Sequence, residues 1–153
     1  MSQASPADDV RRLLEKAGEA ALATRLAREP DAPPYVSLVL LGRSGGPDPL
    51  LLISQLADHT KNLDADPAAS LLLRTPAGGD PLAEARVTLL GRASREPEER
   101  REANKSAFLA RHPTAALYAD YGDFAFWRFE IAKAHLVAGF GRIHWLERGE
   151  IGL

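Results

Sequence analysis

Two short and almost continuous apolar runs constrain the fold of this chain more than any other feature. Residues 36–41 read Val-Ser-Leu-Val-Leu-Leu, and residues 70–73 read Ser-Leu-Leu-Leu. Runs of this length without polar alternation are typical of strands that are buried on both faces. In a domain of 153 residues, the core covers one face of such strands, and the other face needs a separate cover. We therefore expect a homodimer in which a second copy covers it.

The rest of the chain alternates between short strands and short helices. Apolar spacing and stop residues predict helices over residues 7–17, 58–66, 96–111 and 114–119. Strands are predicted over residues 20–27, 34–42, 50–54, 69–74, 86–93 and 124–136, and residues 139–153 are predicted to be irregular. The expected fold class is α+β, mainly antiparallel β, built on a barrel. A single domain spans residues 1–153, with residues 1–6 and 146–153 expected to be disordered.

Composition excludes several classes of function. The chain has no cysteine, which excludes disulfides, thiolate zinc sites and cysteine nucleophiles. A net charge of −2 argues against nucleic acid as a partner. The first residues lack the pattern of a signal peptide, and no apolar run is long enough to span a bilayer. We expect a cytoplasmic protein without a membrane contact.

A strand-to-helix corner is the first candidate site. The strand over residues 50–54 ends in Ser54, and a helix is predicted to begin a few residues later. The free N–H groups of a first helical turn and the positive end of its dipole attract anions. Lys61 falls in this turn, where a cation is unfavourable unless an anion such as phosphate is bound. His59 and Thr60 add hydrogen-bond donors at the same corner.

A plainer interpretation of the corner stays open. In this interpretation Asp58 is simply the helix N-cap, and Lys61 forms a surface ion pair with Asp58 or Asp64. The chain has no GxGxxG, GxxxxGKS/T, HExxH or GxSxG motif. If the protein is an enzyme, we therefore expect a cofactor to supply the chemistry.

Four further residues are candidates outside the corner. Ser37 interrupts an apolar strand, so its hydroxyl needs a partner, either a ligand or a backbone group. Arg86 opens a strand and can meet an anionic ligand or simply be solvated. In the glycine-rich tail, Trp145 can stack on a planar ligand, and His144 can donate a hydrogen bond or ligate a metal. The alternative for the tail is packing on the barrel or on the partner subunit.

The order of these segments resembles the flavin-binding split barrel, the superfamily of pyridoxamine 5′-phosphate oxidase. The resemblance is carried by residues 34–39, 54–63, 66–71 and 86–93. Residues 56–63, 119–124 and 139–141 are similar to the branch that includes bacterial haem-utilisation proteins. The oxidase's own pyridoxal-phosphate-binding residues have no match here, so that activity is not expected.

The resemblance implies a six-stranded split β-barrel with short flanking helices, and a homodimer with flavin mononucleotide (FMN) at the interface. It implies that the ring lies along Ser37, Leu38 and Val39, and that Arg86 approaches the pyrimidine side of the ring. It also implies that Ser54, Thr60 and Lys61 hold the phosphate, with His59 nearby.

Three functional hypotheses follow. The first is an FMN-dependent oxidoreductase that exchanges electrons with a small-molecule partner. The second is a haem-binding or haem-degrading protein on the same fold, with His144 as the axial ligand and Arg86 as the distal partner. The third is a non-catalytic flavin-binding module.

Overall fold

An antiparallel sheet of seven strands forms the body of the protein in the computed structural model, which describes residues 3–153. The strands are β1 (Glu19–Arg25), β2 (Pro34–Leu40), β3 (Leu50–Ser54), β4 (Ala68–Arg74), β5 (Ala85–Arg95), β6 (Phe124–Ala138) and β7 (Ile143–Glu147). The α-helices are α1 (Pro6–Lys16), α2 (Asp58–Ala65), α3 (Arg101–Arg111) and α4 (Arg148–Ile151), and two 3₁₀ turns cover Glu98–Arg100 and Pro113–Leu117. No helix within residues 3–153 is long and apolar enough to cross a membrane.

The long strand β6 organises the sheet. The strand order is β2-β1-β4-β5-β6-β3, and β7 also pairs with β6. One edge of β6 pairs with β5, while β3 and β7 lie end to end along its other edge. A bridge between Gly42 and Leu50 joins the chain after β2 to the start of β3. This bridge closes the sheet into a barrel, although β2 and β3 do not form a continuous ladder.

Cross-strand register divides the sheet into an inner and an outer face. Because side chains alternate along a strand, directly paired residues share a face. The inner row of paired residues begins at Ser37 on β2 and crosses the sheet to β7. Its other members are buried in the barrel; they are Leu22, Leu71, Leu89, Ala134 and Leu146. The adjacent outer row faces away from that core; it consists of Leu38, Ala21, Leu72, Thr88, His135 and Trp145.

Helix α1 packs on the main core because its sequence fixes both its start and its apolar face. The Ser5 hydroxyl caps the helix by accepting a hydrogen bond from the Asp8 N–H at 3.1 Å, and the Asp8 carboxylate accepts one from the Ser5 N–H. Val10, Leu13 and Leu14 are buried in the cluster that fills the barrel. This end of the barrel is therefore closed by α1.

A second apolar cluster lies on the opposite side of β3 and β6. Phe108 from α3 and Ala115 from the following 3₁₀ turn pack against Leu50, Leu52 and Phe126. Strand β3 is consequently buried on both faces by its own chain, as its continuous apolar sequence predicts. The outer faces of β1, β2 and β4 have no such cover among residues 3–153.

Asp48 ties three distant segments together. Its carboxylate accepts a hydrogen bond from the backbone N–H of Ile131 on β6 at 3.0 Å. Arg148, at the start of α4, donates to both carboxylate oxygens at 2.8 and 3.1 Å, and also to the Ile131 carbonyl at 2.8 Å. Bidentate contacts of this kind hold an arginine in one orientation. They attach α4 to the barrel.

The structure corrects the expected carboxyl-terminal part of the chain. The tail is not irregular, because β7 and α4 occupy it, and the sheet has seven strands where six were expected. Residues 146–153 are not disordered, since Leu146 and Ile151 are buried. At the amino terminus, Ser5 is ordered as a helix cap, while residues 1 and 2 lie outside the described residues. The expected N-cap of α2, Asp58, is also wrong; Ala57 occupies that position without a side-chain hydrogen bond.

Gly91 allows β5 and β6 to pair through a register shift between Leu90 and Gly91. A Cβ at this position would collide with the backbone carbonyl of Glu130. We expect Gly91→Ala to lower the free energy of unfolding by about 2 kcal/mol or more, because backbone cannot move aside as a side chain can. Urea unfolding measures this loss. The matched control is Gly122→Ala, where a Cβ meets no atom within 4 Å; equal loss in both variants would contradict the prediction.

Candidate functional site

The strand-to-helix corner forms as expected, but its hydroxyl groups are already engaged. The Ser54 hydroxyl donates to the Asp123 carboxylate at 2.7 Å and accepts from the Leu56 N–H at 3.1 Å. The buried Thr60 hydroxyl donates to the Ser54 carbonyl at 2.6 Å. Both hydroxyl protons therefore stabilise the corner itself. A carboxylate beside Ser54 would also repel a phosphate.

Ser37 on β2 and His59 in the first turn of α2 lie together. Their side chains are joined by a hydrogen bond of 2.9 Å between Ser37 Oγ and His59 Nδ1. The other ring nitrogen of His59, Nε2, is buried and has no hydrogen-bond partner among residues 3–153. Burial lowers the pKa of His59, and the nearby Asp58 carboxylate only partly offsets this effect. The shift favours the neutral imidazole, and the hydrogen bond with Ser37 orients the ring.

Of the other candidate residues, Leu38, Val39 and Arg86 lie outside this corner, while Lys61 lies on α2 within it. Val39 is buried in the main core, whereas Leu38 is 69% exposed on the outer face. Arg86 is also on the outer face, several strands from the corner, and donates to the Leu82 carbonyl at 3.0 Å. Lys61 is exposed and forms no ion pair with any of residues 3–153. The alternative pairing with Asp58 or Asp64 is absent, since these carboxylates pair with arginines.

The outer face carries large apolar side chains without a cover. Besides Leu38, Leu72 is 44% exposed and Trp145 is 59% exposed. Val36 and Ile143 extend the same surface at its two sides. A contiguous apolar area on a sheet face is typical of a surface that binds a partner or a ligand.

A cavity of about 640 Å³ opens at one end of this face. Its volume is typical of sites for small organic ligands and cofactors. Its apolar wall consists of Ala17, Ala20, Ala21, Leu38, Leu40, Leu72 and Pro76. Its charged groups are Lys16, Glu19 and Arg74, and the two cations form no ion pair with any of residues 3–153. An apolar wall beside unpaired cations suits an amphipathic anion.

His112 lines the same cavity. It ends α3, and its Nε2 lies 2.8 Å from the Leu41 carbonyl oxygen. Because a carbonyl only accepts, Nε2 must carry a proton, and Nδ1 is the nitrogen left for a ligand. Sequence reasoning treats His112 simply as a helix terminus. A histidine followed by proline gives no indication that a carbonyl 71 residues away, that of Leu41, orients its ring.

The two tail residues, His144 and Trp145, lie on opposite faces of β7. Trp145 is on the outer face, paired with His135, and the two rings stack with centroids 4.4 Å apart. His144 pairs with Leu136, which is fully buried, on the inner face. The two tail residues thus cannot contact one ligand from the same side. His135 is the histidine that the outer row presents, and sequence reasoning missed it.

The closed sheet, the end-to-end β3 and β7 and the uncovered outer face define a split β-barrel. Comparison with known families extends this assignment to nearly the whole chain: the family model described as "CREG, beta-barrel" matches residues 2–150. The chain belongs to this family. The resemblance inferred from the sequence is confirmed.

Two relatives of the chain have names that mention haem. The chain is 36% identical over 136 residues to the chloroplastic non-canonical haem oxygenase HOZ of Arabidopsis thaliana; the match covers 88% of this chain and 41% of that protein. It is 34% identical to a haem-binding protein of Mycobacterium smegmatis, with a TM-score of 0.87, covering 99% of this chain and 61% of that one. The chain therefore spans roughly half of these relatives.

A third comparison concerns the fold alone. A protein of the pyridoxinephosphate oxidase family from Clostridium acetobutylicum, related to general stress protein 26, superimposes with a TM-score of 0.71 at 13% identity. The match covers 95% of this chain and 96% of that one.

The expected cofactor needs correction. The Arabidopsis thaliana and Mycobacterium smegmatis relatives, at 36% and 34% identity, are both named for haem, so the assignment of FMN is wrong. The structure supplies the physical reason: the hydroxyl protons of Ser54 and Thr60 are used internally, and Asp123 adds a negative charge at the supposed phosphate position.

Proposed function

We propose that the protein binds haem at its outer face, in the cavity that Leu38 and Leu72 line. The observation that carries the proposal is the apolar wall of this cavity beside the unpaired cations Lys16 and Arg74. Haem has two flat apolar faces and two carboxylate groups, so it requires both kinds of surface at once. The haem-related names of the two relatives support the same ligand.

The arrangement of arginines also suits this ligand. Arg74 and Arg86 are directly paired across β4 and β5, so both guanidinium groups emerge on the outer face. Arg86 keeps a role in the haem hypothesis, as a third cation beside the cavity. Arginine binds carboxylates with two parallel hydrogen bonds, which fixes orientation as well as charge.

The proposal includes a second copy of the chain as the cover of the outer face. The exposed side chains of Leu38, Leu72 and Trp145 belong to one row that crosses six strands. A face that broad and apolar is stable in water only when it is covered. Two copies related by a two-fold axis would bury the row and the bound haem together.

Haem titration tests the ligand. We expect ferric haem to produce a Soret band that saturates at one haem per chain, and Arg74→Ala to weaken binding about tenfold, because a charged hydrogen bond is lost. Arg25→Ala is the matched control, since Arg25 lies at the other end of β1 and pairs with Asp66. A titration without saturable binding would remove the proposed function.

The visible spectrum of the haem complex tests which face is used. Haem on the outer face would lie on the same side of the sheet as His135 and on the opposite side from His144. We therefore expect His135→Ala to change the position of the Soret band and His144→Ala to leave it unaltered. The opposite result would place the haem on the other face of the sheet and restore His144 as the ligand.

Sedimentation velocity tests the cover. We expect the protein to be a dimer and Leu72→Arg to be a monomer, because a charge at the centre of a buried apolar face is strongly unfavourable. Leu117→Arg is the control; this leucine is 76% exposed on the 3₁₀ turn after α3, away from the outer row. A monomeric wild-type protein, or a dimeric Leu72→Arg variant, would argue against a second copy on this face.

One further assay separates binding from degradation. The relative in Arabidopsis thaliana is named a haem oxygenase, so the haem complex should be mixed with a reductant in air. Loss of the Soret band over many turnovers would add catalysis to the proposed binding. A stable band would leave the protein as a carrier.

A further inference from the structure

Two side chains lie against Gly18, where α1 gives way to β1. The ring carbon Cε1 of His112 lies 3.6 Å from the position that a Cβ at Gly18 would occupy, and Arg111 Nε lies 3.9 Å from it. Gly18 also lines the cavity together with Lys16 and His112. This end of the cavity is therefore flanked by one imidazole and two cationic side chains.

The positive charge in this space has no counter-ion from the chain. Neither Lys16 nor Arg111 forms an ion pair with any of residues 3–153. A second guanidinium, that of Arg43, is near Arg111; burial and this like charge lower the pKa of Arg111. Lys16 and Arg111 also end their helices, where the dipole favours cations but does not neutralise them. An anionic ligand would relieve this repulsion.

His112 differs from these cations because only one of its ring nitrogens, Nε2, is used in a hydrogen bond, which leaves Nδ1 for a ligand. The Nε2 proton is held by the Leu41 carbonyl at 2.8 Å, so protonation changes only Nδ1. The neutral ring presents a lone pair at Nδ1, whereas the protonated ring presents an N–H donor and a positive charge. Only the protonated ring can donate to a carboxylate.

We propose that His112, Arg111 and Lys16 form the carboxylate-binding end of the cavity, with His112 as a pH-dependent donor. The inference rests on the proposed haem binding and adds an orientation to it: the carboxylate edge of the macrocycle lies at Gly18, and its apolar edge lies along Leu38 and Leu72. A carboxylate at Nδ1 stabilises the protonated ring, so binding takes up a proton. The ligand is held more tightly at low pH and is released as pH rises.

The other charged groups facing this space set the background for that dependence. Glu19 at the start of β1 and Arg74 at the end of β4 line the cavity, and Arg43 after β2 acts through its charge on Arg111. Glu19 is the one acidic side chain lining the cavity among the described residues, and it opposes an anion. A Glu19→Gln variant is therefore expected to bind a diacid more tightly while its pH dependence is retained.

A metal-free porphyrin separates this inference from iron ligation. Deuteroporphyrin IX and its dimethyl ester differ only at the two carboxylates, and their fluorescence reports binding to the whole chain. We expect the wild-type protein to bind the diacid about tenfold more tightly than the ester at pH 6, and this preference to shrink by pH 8. Binding of the ester should not depend on pH.

Variants then assign the effect. His112→Gln keeps a donor for the Leu41 carbonyl but cannot become cationic, so its preference for the diacid should be the same at pH 6 and pH 8. Arg111→Gln should lower the preference at both pH values. His144→Gln, on the inner face, should behave like the wild type. Unfolding curves for each variant check that the fold is retained.

The outcomes are distinguishable from failure of the proposed function. If neither porphyrin nor haem binds saturably, haem binding itself fails. If both porphyrins bind with equal affinity, or if His112→Gln keeps the pH dependence, haem binding stands and the carboxylate end does not lie at Gly18. Should His112→Gln fail to fold, a wild-type preference that does not change between pH 6 and pH 8 overturns the inference by itself.

Discussion

Strand pairing places two apolar rows back to back in this protein, and most of its properties depend on that arrangement. The inner row, centred on Leu71 and Leu89, is enclosed by the barrel and by α1. The outer row, centred on Leu72, uses the next residue on each strand and has no comparable cover in residues 3–153. A one-residue slip of any strand would exchange the two rows, so the register that builds the core also builds the candidate binding face.

Much of the fold can be predicted from the sequence because the strands and α1 carry strong local patterns. All six expected strands are present, within a few residues of their predicted ends. The misses are β7 and α4. Two glycines in the turn before β7 suggest an irregular tail, whereas Gly139 and Gly141 adopt positive φ values that a tight turn requires. Strand β7 is stabilised by pairing with β6, which a local pattern does not contain.

The candidate site is harder to predict because its character depends on partners that are distant in the sequence. The sequence correctly places Ser54, His59 and Thr60 in one corner, but Asp123, which uses the Ser54 hydroxyl, follows 69 residues later. The cavity also depends on segments that are distant in the sequence, because its wall is formed by residues at the ends of α1, α3 and β4. Because β7 itself is not predicted, the sequence does not indicate that the neighbouring side chains of His144 and Trp145 lie on opposite faces; only the pairing with β6 separates them.

The Asp48 contacts have a consequence for the order in which the chain can fold. They join residues separated by 83 and 100 positions, so a large loop must close before either contact forms. A nascent chain that has not yet reached Arg148 leaves the Asp48 carboxylate with only part of its hydrogen bonds. The contact between Asp48 and Arg148 is therefore expected to form after the strands that enclose the carboxylate have paired, so that α4 neutralises a charge that is already buried.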